Sequence, residues 1–234
     1  NTPMRTAVPI AGVADAALLA KAAAALAGAK RPLAIAGRGD PEGKVGAALQ
    51  ALAERLAMPT AEFWPTRNVM ATDHPLHAGF ETGPLLAEAD VVLVVDALVP
   101  WIINQVELSA DANIIQLGAD PLFGRFPVRG FPVDIALAGD VAATLTALAA
   151  SVPDRSAARP AVEANLRQDR LARLARAAEP ASPMTSAYVS GCVNAALGRD
   201  GTIVNELGVQ PAYLTIDGPN RFFGHSLSAG LGWG

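Results

Sequence analysis

The stretch Ala89-Asp90-Val91-Val92-Leu93-Val94-Val95-Asp96 decides the fold. Its apolar centre is continuous rather than alternating and almost wholly β-branched, and it is too short for an ordinary helix. That describes a strand covered on both faces, as in a parallel sheet. It is expected at the centre of the sheet, with Asp96 at its C-terminal end.

The same alternation of helix and strand runs outward from this segment. Upstream, Asp15 to Leu26 is rich in Ala and Leu and reads as a helix, broken at Arg31-Pro32. Leu33-Ala34-Ile35-Ala36 is a short buried strand running into the loop Gly37-Arg38-Gly39. Lys44 to Ala57 is an amphipathic helix and Pro59 to Phe63 a strand; Asn68 to Gly79 is a loop holding Pro75 and two histidines, and Glu81 to Glu88 a short helix. Downstream, Asn113 to Gly118 and Ile135 to Ala138 are strands, and Asp140 caps a helix from Val141 to about Ala150. The fold class is therefore α/β, a parallel Rossmann-like sheet with right-handed crossovers and helices on both faces, over residues 1–150.

Residues 151–183 shift to Ala, Arg, Pro and Ser, and read as an interdomain linker carrying a surface helix over 161–178. The alternation restarts in 184–234: Thr185 to Leu197 is helix, Thr202 to Asn205 strand, and Gly208 opens a loop. A chain that begins at Asn1 without methionine and stops at Leu231-Gly232-Trp233-Gly234 reads as an internal piece of a longer protein.

The 234 residues are 51% hydrophobic with a net charge of −4, which fits a globular chain with one large domain or two small ones. One cysteine and no secretory signal point to a reducing, cytoplasmic compartment. The most apolar stretch, Ala89 to Ile103, is interrupted by Asp90, Asp96 and Pro100, short of the roughly 20 apolar residues of a membrane-spanning helix. The 18 Lys and Arg are scattered, so a nucleic-acid partner is not expected.

Four segments, in this order, resemble thiamine-diphosphate enzymes of the acetolactate synthase and benzoylformate decarboxylase type. Arg31 to Gly39 resembles the first strand and turn of that family's middle domain, and Ala87 to Val95 its central strand with the preceding acid. Ile114 to Pro121 with Val133 to Asp140 is similar to the segments that close that domain. Ser226 to Gly234 resembles the Gly-rich turn beside the cofactor in the C-terminal diphosphate-binding domain, of which 184–234 would be the N-terminal part.

The resemblance implies a set of cofactor contacts. Leu231 matches the apolar residue that props up the bent cofactor, and Ala229 and Gly230 would lie against its aminopyrimidine ring. Ile203 to Gln210 resembles the strand and loop approaching the diphosphate, with Gly208 and Gln210 as contacts; Val209 stands where many members carry a polar side chain. The cofactors implied are thiamine diphosphate and Mg2+, the substrate a 2-oxo acid, and the intact assembly a homo-oligomer, dimer or tetramer, with active sites between subunits. The glutamate that activates the cofactor belongs to a pyrimidine domain, and the magnesium to a Gly-Asp-Gly segment followed by Asn; neither is found in this sequence, so the chain alone is expected to be inactive. Members that carry FAD show an Asp-Asp-Arg type loop after the central strand, whereas Asp96-Ala97-Leu98-Val99-Pro100-Trp101 stands here, which argues against FAD.

Other readings compete. Gly37-Arg38-Gly39 is also a possible phosphate turn, so a non-catalytic module binding FAD or ADP is the alternative; the third glycine of a dinucleotide fingerprint is absent and Pro41 interrupts the turn. His74 and His77 have a spacing that could serve a metal, but Pro75 opposes a helix there and favours a structural loop. His225 and Glu206 are either polar groups near the cofactor or solvated turn residues. Trp101 reads as a packing residue before a cleft residue, and Cys192 as a small core side chain.

Overall fold

The structure is a computed structural model that describes residues 11–206 and 208–224. Six strands form one parallel sheet: β1 Pro32–Arg38, β2 Thr60–Arg67, β3 His77–Gly79, β4 Val91–Val95, β5 Asn113–Gly118 and β6 Ile135–Ala138. Their spatial order is β3-β2-β1-β4-β5-β6, so the chain builds outward from β1, returns, and builds outward again from β4. All five residues of β4 are buried, as a strand between two parallel neighbours must be.

Helices α1 Ala16–Gly28, α2 Lys44–Leu56 and α4 Val141–Ser151 cover one face, their apolar sides meeting Ala34, Leu93, Val95, Ile115 and Leu137. The other face, with Leu33, Ile35, Val92, Val94 and Ile114, is covered by the short helix α3 Gly83–Leu86 and by the connection that carries Trp101. Acidic side chains fix the starts of elements. Asp15 and Asp140 accept amide hydrogen bonds at the first turns of α1 and α4, and Asp90 ties the start of β4 to β1 through Lys30 N (2.7 Å) and Arg31 N (2.9 Å).

Three local expectations need correction. The loop expected over Asn68 to Gly79 ends in strand β3, which pairs with Thr60 and Ala61 of β2. The strand expected at Pro59 to Phe63 runs on to Arg67 through a bulge: Ala36 faces Glu62 and Arg38 faces Arg67, so Gly37 alone stands opposite residues 63–66. Cys192 is exposed, because α6 (Ser186–Leu197) turns Ala187 and Ser190 inward and leaves it on the other side.

The segment 151–183 carries a 3-10 turn at Ser156–Ala158 that leads into helix α5 Arg159–Ala178, packed on α6. Arg170 bolts it to the sheet edge by donating to the carbonyls of Asp73 (3.0 Å), His74 (2.6 Å) and His77 (3.3 Å). Beyond α6, β7 Ile203–Val204 and β8 Phe222–Phe223 form a small parallel pair.

Residues 214–224 are seated on the loop after β2 by a buried polar network. Asn68 uses its full capacity: its Oδ1 accepts from Arg221 N and Phe222 N (2.9 Å each), and its Nδ2 donates to Met70 O (3.0 Å) and Gly218 O (2.8 Å). Thr72 Oγ1 donates to Leu214 O (3.1 Å) and accepts from Ile216 N (2.8 Å). The loop is held from beneath by the fully buried Glu62, whose carboxyl accepts from Val69 N (3.0 Å) and Met70 N (3.2 Å).

Replacing Asn68 by Ala strands two amides and two carbonyls in the interior. The expected cost is about 3 kcal/mol, read from the denaturant midpoint; an unchanged midpoint would show the network to be dispensable.

His74 accepts from Leu76 N at Nδ1, so its Nε2 donates to Glu54 on α2 (3.1 Å). That bond, helped by Gln50 and Arg159, holds the Glu54 carboxyl below its ordinary value of 4.5 against the effect of its partial burial. A lowered folded pKa gives stability that is present above the unfolded value and lost as pH falls through the folded one. The stability gap between the parent and Glu54→Gln should therefore close on acidification below 4.5, measured by thermal unfolding across the carboxylate range.

Candidate functional site

The strand order reverses between β1 and β4, and the C-terminal ends of these strands open into a cleft of about 1030 Å³. In open parallel sheets that crevice is where ligands bind. Gly37 and Arg38 from β1, Asp96 and Ala97 after β4, Phe63 and Trp64 from the bulge, and Phe123 to Phe131 of the loop after β5 line it. A Cβ on Gly37 would sit 2.7 Å from Ala97 Cα, so only glycine lets the ends of β1 and β4 close to this distance.

Arg38 and Asp96 face each other across the switch point in a bidentate pair, Nε to Oδ2 at 2.9 Å and Nη2 to Oδ1 at 3.0 Å. The hydrogen bond to Asp96 raises the Arg38 pKa despite partial burial. Asp96 adopts a left-handed backbone, φ +43°, to present its carboxylate there. On the opposite wall Arg129 lies over the rings of Phe123 (4.8 Å) and Phe131 (5.0 Å) and donates to Ala97 O (3.3 Å) and Gln116 Oε1 (3.2 Å). Burial lowers its pKa. The cleft thus combines aromatic walls with guanidinium groups and carboxylates, of which Arg38 and Asp96 are already paired with each other.

The phosphate turn considered for Gly37-Arg38-Gly39 is not open. At the N-terminus of α2, where a phosphate would dock, the carboxylate of Asp40 accepts from Val45 N (2.7 Å), Lys44 N (3.1 Å) and Glu42 N (3.1 Å). Burial pushes the Asp40 pKa up, but the hydrogen bonds from Val45 and Lys44 outweigh it and the net direction is down.

A second cavity, about 200 Å³, lies where residues 205–211 meet the sheet edge. It gathers Gly208 and Gln210 with Glu206, and its other walls are Trp64, Phe80 and Phe222. Gly208 has φ +96° and open space where a Cβ would stand. The loop is braced by Asn205 Nδ2 donating to Val209 O (3.0 Å) and by Gln210 N donating to Ser190 Oγ (3.0 Å), which leaves the Gln210 side chain for the cavity. The volume is below the roughly 300–1,000 Å³ of a complete ligand site. Ala229, Gly230, Leu231 and His225 lie outside the described residues.

The family described as thiamine pyrophosphate enzyme, central domain, matches residues 19–148, more than half of the chain. The chain belongs to the thiamine pyrophosphate enzymes. Among curated relatives of this thiamine pyrophosphate enzyme chain, a probable 2-ketoarginine decarboxylase of Pseudomonas aeruginosa is 33% identical over 215 residues, covering 88% of this chain and 36% of that protein. Oxalyl-CoA decarboxylase of Escherichia coli is 27% identical over 139 residues, 58% of this chain and 24% of that protein. The chain thus spans about a third or less of these relatives. A solved structure titled as a putative thiamin diphosphate-dependent enzyme from Mycobacterium smegmatis superimposes with a TM-score of 0.69 at 24% identity, over 98% of this chain and 45% of that one, and supports the fold.

Trp101 is buried against Phe131, with ring centroids 5.2 Å apart. His74 faces Glu54, while His77 is buried with Nε2 3.4 Å from Glu62 Oε1; among the described residues no group of three or more potential ligands could hold a metal. Sequence reasoning passed over Trp64 and Arg129. An aromatic pair followed by proline inside a strand, and the alternation of Phe and Arg over 123–131, were the available signals.

Gly37→Ala should destabilise the chain by about 1–3 kcal/mol, because the added methyl must displace Ala97. Thermal unfolding measures it; a parent-like melting point would contradict the close approach of the two strand ends.

Proposed function

We propose that the whole protein is a thiamine-diphosphate-dependent decarboxylase of a 2-oxo acid, able in the manner of acetolactate synthase to join the product to a second carbonyl. The observation that carries this reading is the cavity holding Gly208 and Gln210 together, in a chain of this family. When bound, thiamine diphosphate supplies a cationic ring that takes up the electrons released as carbon dioxide leaves. The chain's own residues bind and shield. Gly208, left-handed and open, allows close approach of a diphosphate oxygen, and the Gln210 side-chain amide can donate to it. Trp64, Phe80 and the buried Phe222 give that edge an apolar wall. Ala229, Gly230 and Leu231 would flank the aminopyrimidine.

In this reading 1–150 is the middle domain, 151–183 the linker and 184–234 the start of the diphosphate-binding domain. The magnesium ligands and the activating glutamate would come from other parts of the protein, and the oligomeric partner would be a second copy of it.

A non-catalytic module for an organic anion such as ADP is the second reading. The observation that favours it is the larger cleft with Arg38, Arg125 and Arg129 at the switch point.

The test is titration of the intact protein with thiamine diphosphate and Mg2+. Stabilisation of ~2.7 kcal/mol is expected at a hundredfold excess over Kd, with carbon dioxide release from pyruvate and weaker cofactor binding in Gln210→Ala. No response to the cofactor, with stabilisation by ADP alone, would replace this reading by the second one.

A further inference from the structure

Helix α5 carries five arginines against two acids, Glu163 and Asp169, in a chain whose net charge is −4, so the helix is a local concentration of positive charge. Arg170 and Arg173, one turn apart and half-buried, face the edge of the sheet at β3. Arg170 commits Nη1 and Nη2 to the carbonyls of Asp73, His74 and His77. Arg173 lies against Gly79, the last residue of β3: a Cβ there would stand 3.1 Å from its Nη2 and 3.3 Å from its Cζ, and the glycine has a φ of +91°. The Arg173 guanidinium has no hydrogen bond or ion pair among the described residues, and the Nε atoms of both arginines are buried without an acceptor. Burial lowers the Arg170 pKa and the charge of Arg173 lowers it further; Asp73 acts the other way, but its carboxylate is bound by Arg199 at 2.9 Å. Two guanidinium groups thus stand side by side with no acid to balance them, which is unfavourable unless a counter-charge joins them.

We propose that Arg170 and Arg173 form an anion site at this edge of the sheet and that its ligand is a phosphate group. Neither side chain lines the switch-point cleft or the pocket of Gly208 and Gln210, so the site is separate from both. The Arg173 fork presents Nε and both Nη groups for a two-point contact with an oxyanion, and Arg170 adds its Nε and its charge. A phosphate group carries about −1.5 to −2 charge at pH 7 and so matches two cations better than a single carboxylate does. It can be free inorganic phosphate or the phosphomonoester of a metabolite; either neutralises the pair and strengthens the hold of α5 on the sheet.

The experiment uses the intact protein saturated with thiamine diphosphate and Mg2+, so that the diphosphate subsite does not compete, at a constant ionic strength set with NaCl. Inorganic phosphate is titrated by calorimetry and thermal unfolding, with glycerol 3-phosphate as the second arm. The parent should bind phosphate saturably and Arg173→Gln about tenfold or more weakly. Arg167→Gln, which removes the same charge from an exposed position of the same helix, should behave like the parent. In chloride alone Arg173→Gln should melt no lower than the parent, and a gap should open as phosphate is added. Tighter binding of glycerol 3-phosphate would make a metabolite the source, and tighter binding of inorganic phosphate the free ion. No saturable binding, or equal binding by parent and Arg173→Gln, would overturn the site. So would a melting gap that is the same with and without phosphate, since that is what a packing role alone gives.

Discussion

A fully buried carboxyl, Glu62, holds the structure together around the site. An acid this deep is tolerable only with its hydrogen bonds made, and those it makes are to the amides of Val69 and Met70 in the loop after β2. That loop in turn offers Asn68 and Thr72 to residues 214–224. Through two layers of buried hydrogen bonds the sheet therefore fixes the position of β8, and with it one wall of the pocket that contains Gly208 and Gln210. The network has little slack, because removing any member strands backbone groups in the interior.

The second constraint is the reversal of strand order. It opens a crevice that no helix among the described residues fills, and the residues at its lip are held in demanding geometries: Gly37 against Ala97, Asp96 and Trp64 with left-handed backbones, and Arg129 between two aromatic rings. The α2 terminus that a dinucleotide would use is already filled by Asp40. The same parallel sheet thus keeps the crevice and gives it a different lining.

Much of this was readable in advance, for identifiable reasons. The strands β1 and β4 are nearly continuous apolar runs, so their burial on both faces can be read without knowing their partners. Asp15 and Asp140 announce helix starts by local chemistry. The strand β3 could not be read this way, since three residues carry no periodicity and pair only because β2 shifts register beside them. Nor could the seating of 214–224, whose bonds to Asn68 and Thr72 join residues more than 140 positions apart. Gly208 and Gln210 were singled out through their resemblance to a cofactor loop, and the structure brings them into one cavity. Trp64 was not, because its importance comes from a bulge and a backbone angle. Cys192 failed differently: an Ala-rich helix carries too weak a pattern to tell which face is inside.

The claim on which the site depends is that residues 214–224 belong to the same rigid unit as the sheet, and native-state hydrogen exchange tests it most directly. The amides of Arg221 and Phe222, bound to Asn68, should be protected to the same degree as those of Val94 and Val95 in β4. Exchange of Arg221 and Phe222 at the rate of exposed loop amides, while β4 stays protected, would contradict it.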